Sequence, residues 1–233
     1  MRGIKRGIRR RLNNPADMLP FTREEFLGVF VAYNEAVWPV QWVAYAMGVA
    51  VVALVLRSGA AASRVACALV GAMWLWTGIG YHAMHFSDIN VAAWGFAVLF
   101  VAQAGLWFEA GLVHGRVMLA PVRGARGWLG WALIAYAAVA YPLLGLASGH
   151  RYPALPMFGI TPCPLTIFTF GVLLLTVAPV PRRMLVIPFA WSLVGGSAAL
   201  LLAVPQDWLL LASGASVLLL GRGAAPLEGR RVH

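Results

Sequence analysis

Along this chain the polar residues collect in short clusters, and between the clusters run long apolar stretches at 38–56, 65–86, 91–108, 128–147, 164–180, 184–204 and 205–221. About 20 apolar residues in a helix cross the roughly 30 Å hydrocarbon layer of a bilayer. The pattern therefore predicts an all-α integral membrane protein, a bundle of about seven transmembrane helices, with 205–221 the shortest fit. Ahead of the first run, "PFTREEF" carries the signature of a helix start. Thr22 is the expected N-cap, Glu25 completes a capping box, and Phe21 with Phe26 forms a hydrophobic staple. Phe26, Val29, Phe30 and Tyr33 then recur at helical spacing, the pattern of a short amphipathic helix lying in the membrane interface. The chain divides into a disordered basic tail (1–20), the interfacial helix (21–36), the bundle (37–221) and a basic cytoplasmic tail (222–233). Met18 is an alternative start to Met1. Small residues four apart, Ser192/Gly196, Gly195/Ala199 and Ala212/Ser216, suit close helix packing.

Composition agrees with this pattern. Hydrophobic residues make up 61% of the 233 positions and charged residues 11%, with mean hydropathy +0.78; soluble domains carry about 25% charged residues. A separate soluble domain does not fit in the remaining length. The net charge of +10 raises the question of nucleic acid. The arginines, however, sit between apolar runs rather than along one face with interleaved aromatics, so the partners they imply are anionic lipid headgroups. Arg57, Arg64, Arg116, Arg123, Arg126, Arg182, Arg183 and the tail arginines fall on one side, while Arg151 stands alone in the loops of the other. The positive-inside rule then places the C-terminus in the cytoplasm and the N-terminus outside, although the basic residues before Met18 point the other way. Those residues are not followed directly by an apolar region, so they do not form a signal peptide. Cys67 and Cys163 fall on opposite sides, which argues against a disulfide, and no zinc-type cysteine spacing is present.

The candidate chemistry gathers on the outer side. In "YHAMHFSDIN", His82 and His85 are three apart and so neighbours on a helix. A helix end near Phe86 would let Asp88 join them as ligands of a divalent transition metal such as zinc, with Cys163 or Glu35 as a fourth donor. The alternative is that the histidines decorate the interface and Asp88 caps the next helix. In "GITPCPLT", Thr161 is the expected cap and Pro162 the first helical residue. Cys163 then sits at a helix N-terminus, where a thiol becomes more reactive, or it is merely a small packed residue. Asp207 reads as the cap of the last helix. Asn34 and Glu35, before the first run, complete a polar outer vestibule. Gln41 and Gln103 are the main polar residues within the apolar runs, so an acidic relay for coupled transport is missing.

Three segments, "LPFTREEFLGVFVAYNEAVWP", "GIGYHAMHFSDINVAAWGFAVLF" and "MFGITPCPLTIFTFGVLLLT", together resemble one of the domain-of-unknown-function families of bacterial multi-pass membrane proteins. The resemblance covers roughly 18–221. It implies a bacterial inner-membrane location and supplies no site residues. Three functional readings stay open. One is a permease for a small solute or metal ion. Another is a membrane-embedded metal enzyme with His82, His85 and Asp88 as ligands and Glu35 as general base. The third is a non-catalytic sensor or assembly subunit.

Overall fold

The computed structural model describes residues 19–216; both basic tails and the end of the last apolar run lie outside them. The first helix, α1 (Arg23–Ala36), begins as its sequence dictates. The Thr22 hydroxyl accepts from the Glu25 amide at 3.2 Å, and the Glu25 carboxylate accepts from the Thr22 amide at 2.7 Å. The Phe21 and Phe26 rings stack 5.9 Å apart. Together these satisfy donors that a bare helix start leaves open. The apolar side of α1 is turned onto the end of the bundle, burying Val29, Phe30 and Tyr33.

Then follow α2 (Val40–Arg57), α3 (Ala60–Trp76), α4 (Ala93–Trp107), α5 (Gly124–Ala135), α6 (Tyr141–Ala147), α7 (Pro162–Leu174), α8 (Arg183–Leu201) and α9 (Trp208–Gly214). Wide π-helical turns extend α3 through Thr77–Ala83, extend α4 through Phe108–Val113, and join α5 to α6 through Tyr136–Ala140. Among the described residues five helices are long and apolar enough to cross a membrane: Val40–Arg57, Ala60–Asp88, Ala93–Val113, Gly124–Ala147 and Arg183–Leu201. The seventh apolar run is described only as far as Ser216.

The fifth run departs from its expected extent. It is helical for 13 residues, Pro162–Leu174, about 20 Å at 1.5 Å per residue. Beyond it the chain turns and runs antiparallel to 118–120, with the Ala120 amide donating to the Leu175 carbonyl at 3.0 Å and the Val177 amide to Met118 at 2.8 Å. The early stop has a physical reason: α7 is central. All of its residues except Cys163 are buried, so its carbonyls and those after it find partners inside the protein.

Close backbone approach makes this enclosure feasible. A Cβ placed on Gly171 of α7 would lie 2.8 Å from the Gly130 carbonyl oxygen of α5 and within 3.0 Å of the Ile134 amide nitrogen. The α8–α9 contact uses three of the small residues the sequence singled out: Gly195 and Gly196 admit Leu210 and Leu211, and Ser192 packs on Gly214, which was not among them. The close approach of Gly130 and Gly171 was not among the expected pairs.

At one end of the bundle, α1 is tied to the segment between α6 and α7. The Asn34 amide donates to the Pro153 and Leu155 carbonyls at 2.7 and 2.8 Å, and the Tyr33 hydroxyl donates to Ile160 at 2.9 Å. The opposite end holds Arg116, Arg126 and Arg183, with Arg126 donating to the Thr176 carbonyl at 3.1 Å and Arg183 paired to Glu109.

Because the neighbour of Gly171 is backbone, it cannot swing aside. Gly171→Val is expected to destabilise the protein by about 2–3 kcal/mol, read as a lower melting temperature in detergent. Gly28→Ala, inside α1 with nothing within 4 Å, is the control and leaves the melting temperature equal or slightly higher. An unaltered Gly171→Val variant would contradict this packing.

Candidate functional site

A cavity of about 260 Å³ opens at the end where α1 packs. Its walls are apolar, with aliphatic residues of α8 and a set of aromatic rings. Phe21, Phe26 and Phe30 come from α1 and the turn before it, Tyr81 and Phe86 from the far end of α3, Phe96 from α4 and Trp191 from α8. These rings support one another: Phe21 meets Phe86 edge-on at 5.4 Å, Phe30 stacks on Tyr81 at 5.6 Å, and Phe96 meets Trp191 at 5.2 Å. Such contacts hold the walls in place beyond simple area burial.

Deep in this aromatic shell lie two polar groups from sequence-distant positions, Cys163 and Asp207. Asp207 is 3% exposed. It occupies the position before α9, but its side chain makes no capping bond, so the expected capping role is corrected. The carboxylate turns inward instead, where the Tyr141 hydroxyl donates to Oδ1 and the Cys163 thiol faces the same group. A buried carboxylate keeps its place only where donors replace water, and the Tyr141 hydroxyl is such a donor. Pro162 occupies the first turn of α7 as expected, while the Thr161 hydroxyl donates to the Met157 carbonyl at 2.7 Å rather than capping α7.

The proposed metal ligands are not brought together. Among the described residues no three His, Cys, Asp or Glu side chains group to hold a metal ion. The cause is the wide turn over Thr77–Ala83, where the Met84 amide reaches back five residues to the Ile79 carbonyl at 3.1 Å. A π-type turn breaks the ordinary spacing that would align residues three apart. His82 turns inward and is wholly buried against Phe100 and Trp191, with ring centroids at 4.5 and 5.1 Å, and neither ring nitrogen has a partner. His85 instead uses Nδ1 on the Gly80 carbonyl at 2.7 Å. Asp88 and Glu35 are exposed, and Asn34 is spent on the loop that follows α6.

Two other polar groups of the cavity wall have local partners, while the Trp191 indole N–H has none. Ser197 donates to the Leu193 carbonyl at 2.7 Å, and the Asn90 side-chain oxygen accepts from the Ala92 amide at 3.1 Å. Near the rim, Arg23 reaches the Leu202 carbonyl at 3.1 Å and His150 Nε2 at 3.0 Å. Burial, and then the Arg23 guanidinium, hold the His150 imidazole below its ordinary value, so it is the neutral ring that accepts from Arg23. That contact ties the start of α1 over the cavity.

Of the residues named from sequence, Cys163 and Asp207 meet here; His82 lies behind the wall. Tyr141, Tyr81 and Trp191 were missed. Tyr141 did carry a signal, because a hydroxyl inside an apolar run must find an internal partner. The arrangement suits a molecule with an apolar body and a single polar group directed at Asp207.

An unpartnered imidazole among aromatic rings contributes desolvation cost without a compensating bond. His82→Leu is therefore expected to fold with an equal or higher melting temperature; a loss of 2 kcal/mol or more would reveal a ligand or partner on its nitrogens (about the cost of orphaning a buried group).

No curated protein and no solved structure matches the chain. One family profile does, over residues 23–226, nearly the extent of the resemblance noted from its three segments. The chain belongs to that family, DUF6064, a family of unknown function.

Proposed function

We propose that this is a multi-pass protein of the bacterial inner membrane whose end cavity binds a small, largely apolar molecule from the outer side. Membrane embedding is supported by the five long apolar helices and by what they expose. Val49, Val98 and Val186 are each at least 62% exposed on helix flanks, a cost in water that lipid removes. Trp38, Trp42, Trp94 and Trp208 are exposed towards the cavity end, and Trp128 near the other, as expected of interfacial aromatic belts. The arginine asymmetry orients the cavity end outward, with α1 in the outer interface and the C-terminus in the cytoplasm. In this reading α9 begins the seventh crossing, and the short, enclosed α7 is the fifth.

Ligand binding is carried by one observation, the aromatic cavity with a buried carboxylate inside it. Its volume lies just below the usual range for small-molecule sites, about 300–1,000 Å³, so the occupant is small. Of the three functional classes open from sequence, the cavity favours those that bind a solute, a permease first and a sensor second, over a metal enzyme. If the protein is a permease, this cavity is its outer vestibule.

The test uses 4-phenylbutanol, titrated calorimetrically into the protein in lipid nanodiscs against empty nanodiscs. Saturable sub-millimolar binding is expected, and it is lost in Ala198→Trp, which fills the cavity from α8. Heats equal to those of empty nanodiscs, or binding untouched by Ala198→Trp, would overturn the reading.

A further inference from the structure

The charges around the cavity do not follow the charge of the chain. The protein carries +10, yet among the described residues no Lys, Arg or His lines the cavity, and Asp207 is the only ionisable side chain there apart from the Tyr81 phenol and the Cys163 thiol. Arg23 and His150, the bases nearest the rim, are turned to each other and to the Leu202 carbonyl. Asp207 has hydroxyl and thiol partners, and none of the described ion pairs includes it. A buried acid with neutral donors on one side and an aromatic box on the other has a clear preference among head groups.

We propose that the occupant is a lipophilic organic amine, bound with its protonated nitrogen on Asp207 and its apolar body among the aromatic rings. This rests on the cavity being a ligand site, as proposed above. An ammonium would supply the ionic partner the carboxylate lacks, through a charge-assisted hydrogen bond. The aromatic rings of the wall, Phe26, Phe30, Tyr81 and Trp191 among them, would add the attraction that such rings hold for a desolvated cation. A carboxylate or phosphate head is disfavoured, because it would meet Asp207 with no base in the wall to offset the repulsion. A neutral alcohol can donate one hydrogen bond but gains neither the ion pair nor the cation–ring attraction.

Three probes of equal length and body separate these cases: 4-phenylbutylamine, 4-phenylbutanol and 4-phenylbutanoate, titrated into the wild-type protein in neutral nanodiscs at pH 7, with empty nanodiscs subtracted. The amine is expected to bind at least tenfold more tightly than the alcohol, and the acid more weakly than both. In Asp207→Asn, whose amide oxygen still accepts from Tyr141, the amine falls to the affinity of the alcohol while the alcohol changes less than threefold. Equal affinities for amine and alcohol in the wild type, or a preference for the acid, would overturn the inference and leave the cavity intact as a binding site. Absence of cavity-dependent binding by all three would instead remove the binding reading itself. The wild-type ranking decides between these results even if the variant does not fold.

Discussion

The close contact between Gly130 and Gly171 is what allows the bundle to close around α7. A helix that is apolar on all sides is stable only if it is surrounded, and with side chains at this crossing α5 would be held away from it. Once α7 is enclosed, its N-terminus has a fixed address, and Cys163 is set beside the start of α9. Asp207, Tyr141 and Cys163 then meet because α9, α6 and α7 all converge there, and the Tyr141 hydroxyl replaces water that the carboxylate lost. The cavity is thus a consequence of how the helices close, with α1 laid over it through its staple and the Arg23–His150 contact.

Polar groups at this end serve two separate purposes. Asn34 and Tyr33 hold the backbone of the segment before α7, satisfying carbonyls that would otherwise be buried unpaired. Asp207 is different, since its donors leave it without an opposite charge. The vestibule expected from sequence thus contracts to a small cavity with one acid in it, while the wide turn at Thr77–Ala83 leaves metal ligation without a geometry among the described residues.

The helix pattern was largely legible in the sequence. The capping box at Thr22 and Glu25, the staple, and the extents of α2, α4 and α8 follow local rules that depend on neighbours in the chain. The end of α7 was only partly legible: Pro179 marks a stop, but the helix already ends at Leu174, where the following residues pair with 118–120, a contact between distant segments. The π-helical turn at Thr77–Ala83 was hidden. Its wide geometry depends on packing, and it undid the one inference that relied on ordinary helical spacing, the grouping of His82 with His85. Cys163 and Asp207 were both noticed as polar residues at helix starts, but local reasoning gave each a capping or packing role. Their meeting is a tertiary fact, recoverable beforehand only by asking where the hydroxyl of Tyr141 could find a partner.

The central claim is that Asp207 faces a site a cationic ligand can enter. The chain has three aspartates, Asp17, Asp88 and Asp207, so carboxyl-labelled aspartate gives a sparse carbon-13 spectrum in nanodiscs, with Asp207 assigned by its loss in Asp207→Asn. Titration with 4-phenylbutylamine should move the Asp207 resonance in a saturable way while those of Asp17 and Asp88 stay in place. An Asp207 resonance unmoved at saturating amine, or three resonances drifting together, would contradict the account.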